Sequence, residues 1–141
     1  MTTSTRDRSG LFTILVGLAS LGVLLQGLWA GIFIRPGQAF DGTWVTVHAR
    51  GAEVTIALAL AAAVVAFLWL RSRRDLVIGS AALVVLLAFE AFIGGEVYDN
   101  QWLTAVHIPL ALALMGLAVW LPLRARSARR QAADVLSGGQ R

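Results

Sequence analysis

A chain of 141 residues that is 57% hydrophobic and only 14% charged has too much apolar surface for a soluble domain of its size, where about a quarter of residues are charged and most residues lie at the surface. The formal charge is +4 and every basic side chain is arginine, a pattern that orients membrane segments rather than one that binds nucleic acid. Soluble enzymes, disordered tails and nucleic-acid modules are thereby excluded, and the lack of cysteine removes disulfides, thiolate metal sites, iron–sulfur clusters and covalently attached heme.

A membrane span needs about 20 mainly apolar residues, and four stretches satisfy this in chain order. Residues 11–34 carry no charge until the loop that follows, and their length speaks against a cleaved signal peptide. Residues 45–70 are polar only at their start, 76–93 are apolar except Glu90, and 102–121 are apolar except His107. The expected fold is an all-α integral membrane protein, with residues 1–124 forming a four-helix bundle and 125–141 a polar, arginine-rich tail. Arg6, Arg8, Arg71, Arg73, Arg74, Arg124, Arg126, Arg129 and Arg130 flank one end, against only Arg35 and Arg50 at the other. The positive-inside rule then puts both termini in the cytoplasm of a multi-pass plasma-membrane protein. Trp29, Trp44 and Trp102 mark the outer boundary and Trp69 and Trp120 the inner one.

The chain repeats itself once. Trp44-Val-Thr-Val-His48 opens the second span and Trp102-Leu-Thr-Ala-Val-His107 the fourth. Each follows a span and a short loop containing acid: Asp41 in one case, Glu96 and Asp99 in the other. Two tandem hairpins of this kind are expected to be related by a pseudo-twofold axis along the membrane normal. That symmetry puts the chain's two histidines on facing helices at matching depth.

Ionisable groups within a bilayer are costly and usually face the interior of a bundle. Gln26, His48, Arg50, Glu53, Glu90 and His107 all fall in the expected outer half, while the inner half is Ala, Leu and Val. One polar site near the outer face accounts for this distribution. On the face of His48 stand Gly51, Ala52, Thr55 and Ala59, and on the face of His107 stand Leu110, Ala111, Leu114 and Ala118. Small residues beside a histidine leave room for a flat ligand, or equally for close helix packing. Two opposed imidazoles are good axial ligands for a non-covalent heme b, so His48 and His107 are the candidate iron ligands. Gly51, Ala52, Thr55 and Ala111 are the candidate pocket wall. Arg50, with Arg35 able to share the task, is placed to pair with heme propionates, the competing role of both being to anchor at the headgroups. Glu53 is expected to form an ion pair with Arg50 at i+3. Glu90, without a partner near in sequence, is expected to be protonated or paired across helices with Arg50 or Gln26. Both acids are candidate proton carriers. Pro109 is expected to kink the fourth helix or mark its first turn.

With His48 followed by Arg50, His107 followed by Ile-Pro-Leu-Ala-Leu-Ala-Leu, and acidic outer loops, the chain resembles one four-helix half of the heme A synthases. It is also similar to small four-helix membrane proteins of actinobacterial type with the same two histidines. The resemblance implies histidine ligands on the second and fourth helices near the outer face. The family's catalytic half has a glutamate shortly before its first histidine and an arginine directly after it. Here Trp44 and Val45 occupy that region and Ala49 separates His48 from Arg50. The resemblance therefore implies the heme-holding half more than a heme A synthase-like oxidoreductase. Electron transfer or heme handling is the expected role, with a quinone or an extracytoplasmic redox protein as partner and no nucleic acid. The competing classes are a heme-free accessory or transport protein using the His/Glu cluster for protons or metal, and a structural subunit. In the latter, or in a homo-oligomer, Gly17, Gly22, Gly27 and Gly31 would be the contact face.

Overall fold

The computed structural model describes residues 3–34 and 41–138, with side chains described over 8–34 and 41–127. Among them the chain is all helical, with no strand. Four helices follow one another: α1 (Thr3–Phe33), α2 (Gly42–Trp69), α3 (Arg74–Glu96) and α4 (Thr104–Gly138), the last preceded by a single 3₁₀ turn over Gln101–Leu103. Four segments, Arg8–Phe33, Gly42–Trp69, Arg74–Glu96 and Gln101–Ser127, are long and apolar enough to cross a membrane. Even the shortest, α3 with 23 residues, extends about 35 Å at 1.5 Å per residue, against a hydrocarbon core about 30 Å thick.

Each helix turns an inward seam at steps of three and four residues, the spacing of side chains that meet along a bundle axis. On α1 the seam is Phe12, Val16, Ala19 and Val23; on α4 it is Leu114, Ala118, Leu121 and Ala125. α2 contributes Thr55, Ala59, Ala62 and Ala66, and α3 contributes Leu76, Ser80, Leu83, Leu87, Glu90 and Ile93. The opposite faces are apolar too: Leu24, Leu28, Ile78, Val85, Phe92 and Leu112 are exposed. Helices that are apolar all round suit a membrane span or the core of a larger assembly. α1 packs on α2, α2 on α3, α3 on α4 and α4 back on α1. The pairs α1/α3 and α2/α4 therefore lie on the diagonals. The two histidine-bearing helices face each other across the bundle.

Helix ends overrun the apolar stretches, because backbone hydrogen bonding continues after hydrophobicity stops. α2 begins at Gly42 because the Asp41 carboxylate accepts a hydrogen bond from the Thr43 N–H at 2.9 Å, an N-cap. That acid reads in the sequence only as loop charge. The backbone of α4 likewise continues as helix through Gly138, well into the region expected to be tail. Pro109 sits within α4, and so does Pro122. A proline cannot donate to the carbonyl four residues earlier, which for Pro122 is that of Ala118. Ser20 of α1 donates to this carbonyl at 2.6 Å while also reaching the Val16 carbonyl at 2.8 Å. The orphaned acceptor becomes a link between the first and last helices.

The end of the bundle where α2 and α3 are joined carries Arg8, Arg71, Arg73, Arg74, Arg124 and Arg126, and is called here the arginine end. Asp75 there receives Arg73 at 2.9 Å and Arg124 at 2.9 Å, tying the α2–α3 turn to α4. Arg8 stacks on Trp69 with its guanidinium carbon 5.3 Å from the ring centre, joining α1 to α2. The other end holds both histidines.

Candidate functional site at the histidine end

At the histidine end one polar residue from each helix continues the apolar seam. Gln26 stands one turn past Val23, His48 two turns before Thr55, Glu90 one turn past Leu87, and His107 two turns before Leu114. Inward position follows from register: a residue three, four or seven places from a buried one shares its face.

Each imidazole is docked on the neighbouring helix. His48 Nδ1 lies 3.2 Å from the Gln26 main-chain oxygen on α1. That oxygen only accepts, while the Gln26 amide nitrogen, in the orientation described below, also reaches Nδ1 at 3.0 Å, so Nδ1 faces an acceptor and a donor together. The His48 ring also meets Phe33 edge to face, with centres 5.4 Å apart. The Gln26 amide, oriented with its nitrogen toward α2, donates to the His48 carbonyl at 2.9 Å and accepts from the Ala52 N–H at 3.0 Å. On the other side of the bundle, His107 Nδ1 lies 3.0 Å from Glu90 Oε1 on α3. The approach is off the hydrogen-bonding axis, and Glu90 Oε1, Glu90 Oε2 and His107 Nδ1 are all buried without another described partner. His48 lies within electrostatic reach of both His107 and Glu90. Neither histidine Nε2 takes part in a hydrogen bond among the described residues.

The remaining expected residues divide. Arg50 and Glu53 form the anticipated ion pair, with Nη1 2.8 Å from Oε2, on the outward face of α2 with side chains 75% and 62% exposed. Glu90 does not pair with Arg50 or Gln26 as anticipated. Arg50 points outward, Gln26 lies on the diagonal helix, and α3 presents Glu90 to His107 instead. Gly51 and Thr55 meet α1. A Cβ on Gly51 would collide with the Trp29 ring and stand 2.6 Å from the Gln26 side-chain amide, and one on Gly22 would collide with Thr55. The space these small residues leave is thus filled by helix packing. Ala52 and Ala111 are half-buried. Gly17, Gly27 and Gly31 face open space, with nothing within 4 Å of an added Cβ. Arg35 lies outside the described residues.

Gly94 is a site residue that the sequence reading missed. It follows Glu90 by one helical turn, and a Cβ there would stand 3.0 Å from His107 Cε1. The signal was a glycine on the same face as an intramembrane acid. A groove of about 460 Å³ also runs between α1 and α2, lined by Leu21, Leu25, Trp29, Arg50, Gly51 and Val54 among others. It reaches the level of His48 through Thr46, Val47 and Trp29, but neither histidine lines it. Among the described residues no group of three or more His, Cys, Asp or Glu side chains is placed to hold a metal ion. No protein-family model, curated protein or solved structure matches the chain.

Proposed function

We propose that the chain is a multi-pass membrane protein of the plasma membrane, termini inside, that holds heme b between His48 and His107 near the outer face. The observation that carries this reading is the matched handling of the two imidazoles. They stand at inward register positions on diagonally opposed helices, each with an acceptor on the adjacent helix beside Nδ1, joined at His48 by the Gln26 amide nitrogen, and with no hydrogen bond at Nε2 among the described residues. Metal-binding histidines characteristically donate the second ring nitrogen to a carbonyl or carboxylate, which fixes the ring and its tautomer. His48 has the carbonyl and His107 the carboxylate. This backing of each ring supports heme iron as the group they would hold. In this reading the two hairpins are pseudo-twofold mates. His48 and His107 hold the group, Ala52 and Ala111 border it, and Gly51 and Thr55 act through α1 packing. Arg50 serves a propionate only by sharing its guanidinium with Glu53.

Heme supplies one-electron chemistry at its iron, and two protein ligands disfavour oxygen binding there. The protein's part is to fix two rings, exclude water through the Leu83, Leu87 and Leu114 core beneath, and keep the layer near an outer partner, a quinone or an extracytoplasmic redox protein. Purified protein tests the proposal directly. A Soret band with sharp α and β bands on reduction, and a b-type pyridine hemochrome, are expected. Colourless protein, after expression with heme available, contradicts it.

The buried Glu90–His107 contact favours a second reading, a heme-free proton or metal relay. Colourless protein in which Glu90→Gln and His107→Ala both abolish proton or metal flux in vesicles would select it.

A further inference from the structure

The contact between α3 and α4 at the histidine end has a consequence beyond the identity of the bound group. Three buried polar atoms, both Glu90 oxygens and His107 Nδ1, have no described partner except one another, and two of them are 3.0 Å apart. Leaving a buried donor or acceptor unmade costs about 1–3 kcal/mol, more for a charged one, so the two side chains are driven to pair. Glu90 is only 8% exposed, which keeps water from competing. The ring is confined from the other side as well, because Gly94 presents backbone where any larger residue would stand 3.0 Å from His107 Cε1. An acid one turn before a glycine thus forms a seat on α3 for a ring on α4. The facing imidazole has a different seat, a main-chain carbonyl at 3.2 Å.

We infer that Glu90 is the positioning residue of the His107 imidazole, fixing the proton on Nδ1 and the lone pair of Nε2 toward the bundle interior. The same contact makes the two histidines unequal, carboxylate-backed on α4 and carbonyl-backed on α2. Its redox consequence rests on the heme reading; the tautomer assignment does not.

With only two histidines in the chain, ¹⁵N spectra of histidine-labelled protein in detergent are assigned by His48→Ala alone. In protein stripped of any cofactor, at a pH where free imidazole is neutral, His107 should show a protonated Nδ1 and a bare Nε2. Glu90→Gln, whose amide oxygen still accepts, should preserve that pattern, while Glu90→Leu and Gly94→Ala should each lose it. His48 signals should stay in place throughout. In heme-loaded protein Glu90→Gln should keep the six-coordinate spectrum and shift the midpoint potential, since the group that backs one ligand is changed. An unchanged His107 tautomer in Glu90→Leu, or a His107 protonated on both nitrogens in the wild type, overturns the inference. An unchanged potential in heme-loaded Glu90→Gln overturns its redox half. Absence of heme from the wild-type protein overturns the heme reading and leaves the tautomer result to decide the rest.

Discussion

The two ends of the bundle treat their polar groups in opposite ways. At the arginine end charge lies at the periphery and is paired: Asp75 joins Arg73 and Arg124, and Arg8 rests on Trp69. The buried hydroxyl of Ser80 nearby is bonded to its own helix at 2.7 Å. At the histidine end, beside the outward Arg50–Glu53 pair, Gln26, His48, Glu90 and His107 stand on the inward seams, and three atoms of the Glu90–His107 pair are left with only each other. Stability alone explains the first arrangement but not the second, because an apolar residue at position 90 or 107 would extend the seam without desolvating a charge. Polar side chains buried among apolar helices without full satisfaction are the feature on which the proposed site rests.

That contrast can be broken by mutation, and the largest effect should come from Gly51→Leu. The Trp29 ring and Gln26 amide occupy the space its side chain would need, so α1 and α2 must separate and the His48 seat on Gln26 is lost with them. Loss of the folded monomer in detergent, or loss of bound heme with the fold kept, is expected; an unaltered melting curve and spectrum would refute the close approach. Leu83→Ala, in the fully buried seam of α3, should cost about 2–5 kcal/mol through the cavity it leaves, measured by denaturant titration. It should leave the potential of any bound heme unchanged, separating core from site. Ser20→Ala should cost about 0.6 kcal/mol, the typical worth of a hydrogen bond between membrane helices, and less in a Pro122→Ala background, where the Ala118 carbonyl regains its helical donor. Arg50→Ala should be the mildest for stability, since the pair it breaks is exposed and such pairs contribute little. With heme bound as proposed, the midpoint potential should fall slightly, because a positive charge near the site is removed.

Much of this architecture was legible in the sequence. Apolar run length locates four helices, and the confinement of Gln26, His48, Glu90 and His107 to one end follows from reading their depth. The i+3 spacing of Arg50 and Glu53 is sufficient to give their ion pair. The partner of Glu90 was not legible. Helices that are apolar all round provide no amphipathic stripe from which to read rotation, so which helix meets which face is decided by packing. The role of Gly51 shows the same limit. A small residue beside a histidine has the same sequence signature whether it admits a ligand or a tryptophan from the next helix. Helix ends were missed for another reason, since Asp41 acts through a backbone N–H and the tail of α4 through backbone hydrogen bonding, neither of which registers as hydrophobicity.

The central claim, that the histidine end holds one heme through both imidazoles, is tested most directly by the ferric electron paramagnetic resonance spectrum of the purified protein beside those of His48→Ala and His107→Ala. The account predicts a single low-spin species in the wild type and its disappearance in each variant, with most of the heme released. A low-spin six-coordinate signal that survives in both variants would contradict it.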